Sequence, residues 1–155
     1  MAKDEVHTAG GYYPPVGFHF KVEFINIGND NDVRFQSVGG LSMELEVENI
    51  KEGGQNLFEH KIPGKSKFSD LTLKRGLLLD SELIKWIKKA LYDREFKPAN
   101  LNISLLNSSH EPILVWQVFN AWPRKWSVSD LNASENSIMV ETIEIAYNYF
   151  NTKKG

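Results

Sequence analysis

Cysteine is absent from the 155 residues, which excludes a disulfide framework, a cysteine nucleophile and thiolate metal sites. A chain of this length buries one continuous core without such staples. The absence also fits synthesis in a reducing compartment. An excess of charge is missing too: the formal net charge of −2 supplies no bulk attraction to DNA or to an anionic membrane. No apolar run approaches the roughly 20 residues of a membrane-spanning helix, and the polar stretch Met1–Gly11 lacks the apolar centre of a secretory signal. Membrane insertion is not expected.

Signatures of catalysis are equally scarce. The histidines His7, His19, His60 and His110 are dispersed and match no zinc-binding spacing. Neither a GxGxxG fingerprint nor a P-loop occurs, so nucleotide binding has no local support. Ser69, Asp70, Asp80 and Ser81 contain hydrolytic groups without a nucleophile elbow, and Asp80 and Ser81 suit helix caps better. The chain is expected to have no enzymatic activity, no metal and no cofactor. Lys65, Lys67, Lys74, Arg75, Lys85, Lys88 and Lys89 make a basic region, but the exposed aromatic pair of an RNA-binding sheet is not evident.

What the sequence does contain is alternation. Phe18, Phe20, Val22 and Phe24 alternate with His19, Lys21 and Glu23, the pattern of a half-buried strand. Asn29–Asp32 then reads as a turn and residues 33–38 as the returning strand of a hairpin. Leu41, Met43, Leu45 and Val47 alternate with Ser42, Glu44, Glu46 and Glu48, which sets three carboxylates on one strand face. That face is unsuited to a core. The break Glu52, Gly53, Gly54, Gln55, Asn56 gives way to an extended segment from Leu57 to Ile62, closed by Pro63-Gly64. Leu71 and Leu73 continue the β pattern.

One helix is predicted over residues 81–92. Asp80 and Ser81 offer caps, and Leu83, Trp86, Ile87, Ala90 and Leu91 recur at helical spacing opposite Lys85, Lys88 and Lys89. Three strands follow, from Leu101, Ile113 and Ile138. The strand 113–120 is apolar on both faces and belongs in the middle of the sheet system. Trp122, Pro123 and Trp126 read as a structural strand-to-loop corner. Their alternative is a ligand site, since two indoles beside Arg124 and Lys125 can stack on a ligand.

Charge is segregated along the chain. Residues 41–59 carry a local −4 and residues 60–97 a local +5, which offers complementary faces for head-to-tail association. Two solvated surfaces are the plainer interpretation.

Several turn-rich signatures lie in a fixed order: Gly39-Gly40-Leu41, Glu52-Gly53-Gly54-Gln55-Asn56, His60-Lys61-Ile62-Pro63-Gly64, Leu71-Thr72-Leu73-Lys74-Arg75-Gly76, Glu82-Leu83-Ile84-Lys85-Trp86, Asn120-Ala121-Trp122-Pro123-Arg124-Lys125-Trp126 and Glu141-Thr142-Ile143-Glu144-Ile145-Ala146. Together, from about Pro15 to Tyr149, they resemble the tail-tube family of contractile phage tails and phage-like extracellular contractile injection systems. The resemblance implies a mainly β fold with one α-helix, its two packed antiparallel sheets forming a barrel-like sandwich. It divides the chain into an arm at 1–14, one tail-tube domain at 15–150 and a polar end at 151–155.

The resemblance further implies homohexameric rings stacked into a conduit inside a contractile sheath, with baseplate or spike-hub proteins, tube-capping proteins and a luminal protein effector or DNA as partners. Glu44, Glu46 and Glu48 are then expected to face the lumen, and Glu52–Asn56 to form an inter-subunit loop. The particle is expected to be made in the bacterial cytoplasm and released outside it. A baseplate tube initiator is the alternative within this class, and a monomeric ligand-binding β-barrel the alternative outside it.

Overall fold

The computed structural model describes residues 19–27, 34–54 and 57–155. Among the described residues the alternating segments become nine strands and the amphipathic segment one helix. In chain order these are β1 (His19–Phe24), β2 (Ser37–Gly39), β3 (Met43–Ile50), β4 (His60–Phe68), β5 (Leu71–Gly76), α1 (Glu82–Asp93), β6 (Ala99–Leu106), β7 (Pro112–Val128), β8 (Val140–Ala146) and β9 (Tyr149–Lys154). Every pairing is antiparallel.

β7, with 17 residues, organises the fold. Its first half lies between β6 and β9, and its second half pairs with β8. One layer therefore reads β1-β6-β7-β9 and the other β7-β8-β5-β2, the two sharing β7. They enclose one core in a barrel-like sandwich: Val22 and Phe24 of β1, Leu101 and Ile103 of β6, Val118 of β7, Leu71 and Leu73 of β5, and Ile143 and Ile145 of β8. Each set occupies alternate positions, as period-two strands require. Full burial of such a side chain contributes about 1.5–3 kcal/mol.

α1 closes this core with Leu83, Trp86, Ile87 and Ala90. Ser81 is its N-cap, extended at φ −148° and accepting from the Ile84 N–H at 3.3 Å. Leu91, counted in the predicted stripe, is 39% exposed; at 100° per residue it falls about 80° from Leu83, on the flank of the stripe. The helix ends at Arg94 in the left-handed region, φ 58°.

Several expected connections differ. β1 pairs with β6 and β2 with β5, so residues 34–38 do not return along β1; Val33 and the turn expected at 29–32 lie outside the described residues. Pro63-Gly64 does not close a strand, because β4 runs through it on a two-stranded ribbon whose outer edge tolerates a proline. The stretch from Ile138 divides at Asn148, whose N–H donates to Phe119 O. Residues 151–154, expected as a polar end, form most of β9.

Candidate assembly surface

Among the described residues β3 and β4 pair only with each other and form a ribbon outside the main sheet. All eight residues of β3 are exposed. Residues directly opposite in an antiparallel pair share a face. One face therefore carries Glu44 opposite Lys67 and Glu48 opposite Ile62, with Glu46 between them; the other carries Met43 opposite Phe68, Leu45 opposite Ser66 and Val47 opposite Pro63. A bulge lies between Leu45 and Val47, where β4 has one extra residue. At Gly64 a Cβ would meet Glu46 O at 3.0 Å and the Glu48 side chain at 3.2 Å.

The acidic row anticipated from the sequence is thus one wet face of a projecting ribbon. Its apolar face is not packed on the core of this chain: Met43, Leu45 and Val47 are 64%, 57% and 61% exposed. Period-two patterning foretold two chemically different faces but not that both would be uncovered.

The ribbon leaves the body through a fixed neck. Gly40 has φ +89°, and a Cβ there would overlap the Asp70 carbonyl. Ser42 Oγ donates to Ser69 Oγ at 2.8 Å, Asp70 pairs with Arg124, and the Phe68 ring meets Tyr147 and Phe150 edge-on. Tyr147 Oη is buried without a hydrogen-bond partner among the described residues. Burial, with a smaller contribution from the Asp70 charge, pushes its pKa up to about 12.

At the far end Gly53 and Gly54 lie in a turn that follows Glu52, with Gly54 at φ +93°; Gln55 and Asn56 lie outside the described residues. Glu52 lies 3.4 Å from His60 Nε2, and Lys51 Nζ 3.4 Å from Glu59. These exposed pairs contribute little stability.

Trp122, Pro123 and Trp126 do not make a strand-to-loop corner, because all three lie within β7. A bulge at Arg124, between the Pro123–Ile145 and Lys125–Glu144 pairs, shifts the alternation. Trp122 pairs with Ala146 and is 38% exposed, its ring edge-on to Phe96 beside a shallow notch of about 240 Å³. Trp126 pairs with Ile143 and packs against the core. The bulge sends the two indoles to opposite faces, so they do not flank one ligand.

Trp126 instead belongs to a polar cluster that sequence reasoning missed. Its Nε1 donates to Glu141 Oε2 at 3.1 Å, and Arg75 Nε donates to Glu141 Oε1 at 2.5 Å. Arg75 Nη2 donates to Ser81 Oγ at 3.0 Å, and the guanidinium lies over the Phe35 ring. Arg75 and Glu141 are both buried and directly cross-strand. The signal was present: Arg75 continues the Leu71, Leu73 alternation, and Glu141 the Ile143, Ile145 alternation.

Of the four side chains with hydrolytic groups, three are engaged elsewhere, Ser81 as a cap, Ser69 with Ser42, and Asp70 with Arg124. Among the described residues no three His, Asp or Glu side chains converge as a metal cluster, and no helix is long and apolar enough to cross a membrane.

The family model for T4-like virus tail tube protein gp19 matches residues 16–151. A chain in the solved six-fold symmetrised baseplate of the anti-feeding prophage is 31% identical, at TM-score 0.80 over 93% of this chain and 98% of that one. A chain of the extended sheath-tube complex of an extracellular contractile injection system, PVC, is 26% identical, at TM-score 0.77 over 92% of this chain and 93% of that one. One from the sheath/tube terminator of the same system is 27% identical, at TM-score 0.76 over 94% and 99%. No curated protein sequence matches the chain.

Proposed function

The chain belongs to the T4-like virus tail tube family, and from that premise we propose that it is an inner-tube subunit of a contractile injection particle or phage tail, assembling as hexameric rings stacked into a conduit. The observation that carries this reading is the ribbon β3–β4, whose Met43, Leu45 and Val47 face is open in the single subunit. Exposed contiguous apolar surface of this kind marks a protein interface, and a neighbouring copy supplies the cover. The main sheet supports ring closure as well. Among the described residues β1 pairs only with β6 and β9 only with β7, and their outer edges there present backbone groups that a heterologous contact satisfies.

With the apolar face against a neighbour, Glu44, Glu46 and Glu48 turn toward the conduit. A row of carboxylates there repels nucleic acid phosphates and acidic protein cargo from the wall, which limits adhesion during passage. The turn Glu52–Asn56 reaches the adjoining subunit, and Trp122, Pro123 and Trp126 serve β7 structurally. The role is assembly rather than catalysis. A contractile sheath, a baseplate or spike hub and a tube cap are the protein partners, and the particle forms in a bacterial cytoplasm before release.

The baseplate relative, at 31% identity, favours a second reading: a tube initiator whose rings carry one face for a hub rather than for an identical ring. Native mass measurement of the purified protein tests the first element of both. Hexamers and their multiples are expected for the tube subunit, single hexamers for the initiator. Leu45→Asp should lower the ring yield at least about tenfold, since burying an unpaired charge costs more than the 1.4 kcal/mol of one decade. A folded wild-type monomer at all concentrations contradicts both readings.

A further inference from the structure

At the opposite end of β1 from the core-closing helix, two imidazoles face each other. His19 opens β1 and lies across from Leu106 of β6. His110 lies in the turn between β6 and β7 with φ +61°. His19 Nε2 and His110 Nδ1 are 2.5 Å apart, with the rings at 66°. At this separation the two nitrogens share one proton, and a cation that both address fits once the rings part slightly.

The geometry points to a divalent transition-metal site, and we propose that His19 and His110 bind such an ion, of the zinc or copper class, through these two nitrogens. Both ligands are held by backbone that does not depend on the imidazoles. The β1–β6 ladder fixes His19. In the turn, Asn107 Oδ1 accepts from Ser109 N and Glu111 N at 2.9 Å each, His110 N donates to Asn107 O at 3.0 Å, and Asn107 N donates to Glu111 O at 2.9 Å. Such support preorganises a site. Two tetrahedral Zn–N bonds of about 2.0–2.1 Å place the nitrogens about 3.3 Å apart, so the rings need to separate by under about 1 Å. His110 is exposed and His19 half-buried, which leaves an entry path and open positions for water.

Borderline imidazole ligands select late first-row divalent ions over magnesium or calcium, with copper(II) above zinc. Glu111, whose carboxylate takes Asn107 Nδ2 at 3.4 Å, adjoins His110 as the nearest acid in sequence. When loaded, the ion ties the start of β1 to the β6–β7 turn.

Zinc titrated calorimetrically into the full chain tests this. One ion per chain is expected, with affinity reduced at least about tenfold, or 1.4 kcal/mol, by His19→Asn or His110→Asn and unchanged by His60→Asn. Wild-type affinity in either ligand variant, or no binding at millimolar zinc, overturns the site. Where a variant does not fold, copper(II) paramagnetic resonance on the unaltered chain decides: two coordinated imidazole nitrogens support the proposal, and one or none contradicts it.

Discussion

Arg75 and Glu141 show how a single pair of residues ties several elements together. Their contact links β5 to β8, Ser81 adds the start of α1, and Trp126 adds β7. Taking both charges from water is costly, so the pair specifies arrangement more than it adds stability. Glu141→Leu, which leaves Arg75 buried without its anion, is expected to destabilise by about 3–5 kcal/mol in urea unfolding. Adding Arg75→Met should recover part of that loss; a double variant worse than the single would show that the guanidinium is held by its other contacts instead. Tyr147 gives a second test. Its folded pKa is raised to about 12 from an ordinary 10.0, so its stabilising contribution is complete below about pH 10 and is lost as pH rises toward 12. Phenolate absorbance should show one tyrosine ionising late in the native protein, and Tyr147→Phe should remove that step.

Among the elements, the helix was the most legible because its information is local. A cap at Ser81 and an apolar stripe at 83, 86, 87 and 90 fix it within one residue at each end. Leu83→Ala should cost about 2–5 kcal/mol through the cavity it leaves. Lys88→Glu, on the open side, should change thermal stability by no more than about 0.5 kcal/mol. The strands were legible as strands, but their partners were not: β1 finds β6 across the chain, a choice that alternation alone does not encode. The Trp122-Pro123 segment misleads for a related reason. Proline and tryptophan near a bulge look like a corner, whereas the structure uses them to carry β7 from one layer into the other. Of the ribbon, the sequence revealed the acidic row and the Gly53-Gly54 turn, not the openness of the apolar face, since covering depends on neighbours in space. Gly54 holds φ +93°, where a β-branched side chain is strained. Replacing Gly53 and Gly54 together by valine should therefore reduce tube formation, seen by negative-stain microscopy, more than it lowers the unfolding temperature.

For the whole molecule, the subunit has a closed core and an unfinished periphery. The buried residues of both layers and α1 form one core, while the ribbon and the outer edges of β1 and β9 are proposed to be completed by other copies. On the proposed lumen placement, Glu44, Glu46 and Glu48 form a charged wall. Reversing all three to lysine should preserve rings, because charges across the conduit are screened beyond about 10 Å at 0.1 M salt, and should impair passage of anionic cargo. The most direct measurement is a cryo-electron microscopy reconstruction of the assembled protein at side-chain resolution. Six copies per ring are expected, with Met43, Leu45 and Val47 buried against a neighbouring subunit and the three glutamates on the conduit wall. Rings in which the apolar ribbon face remains in solvent, or a monodisperse monomer that forms no ring, would contradict the proposed assembly.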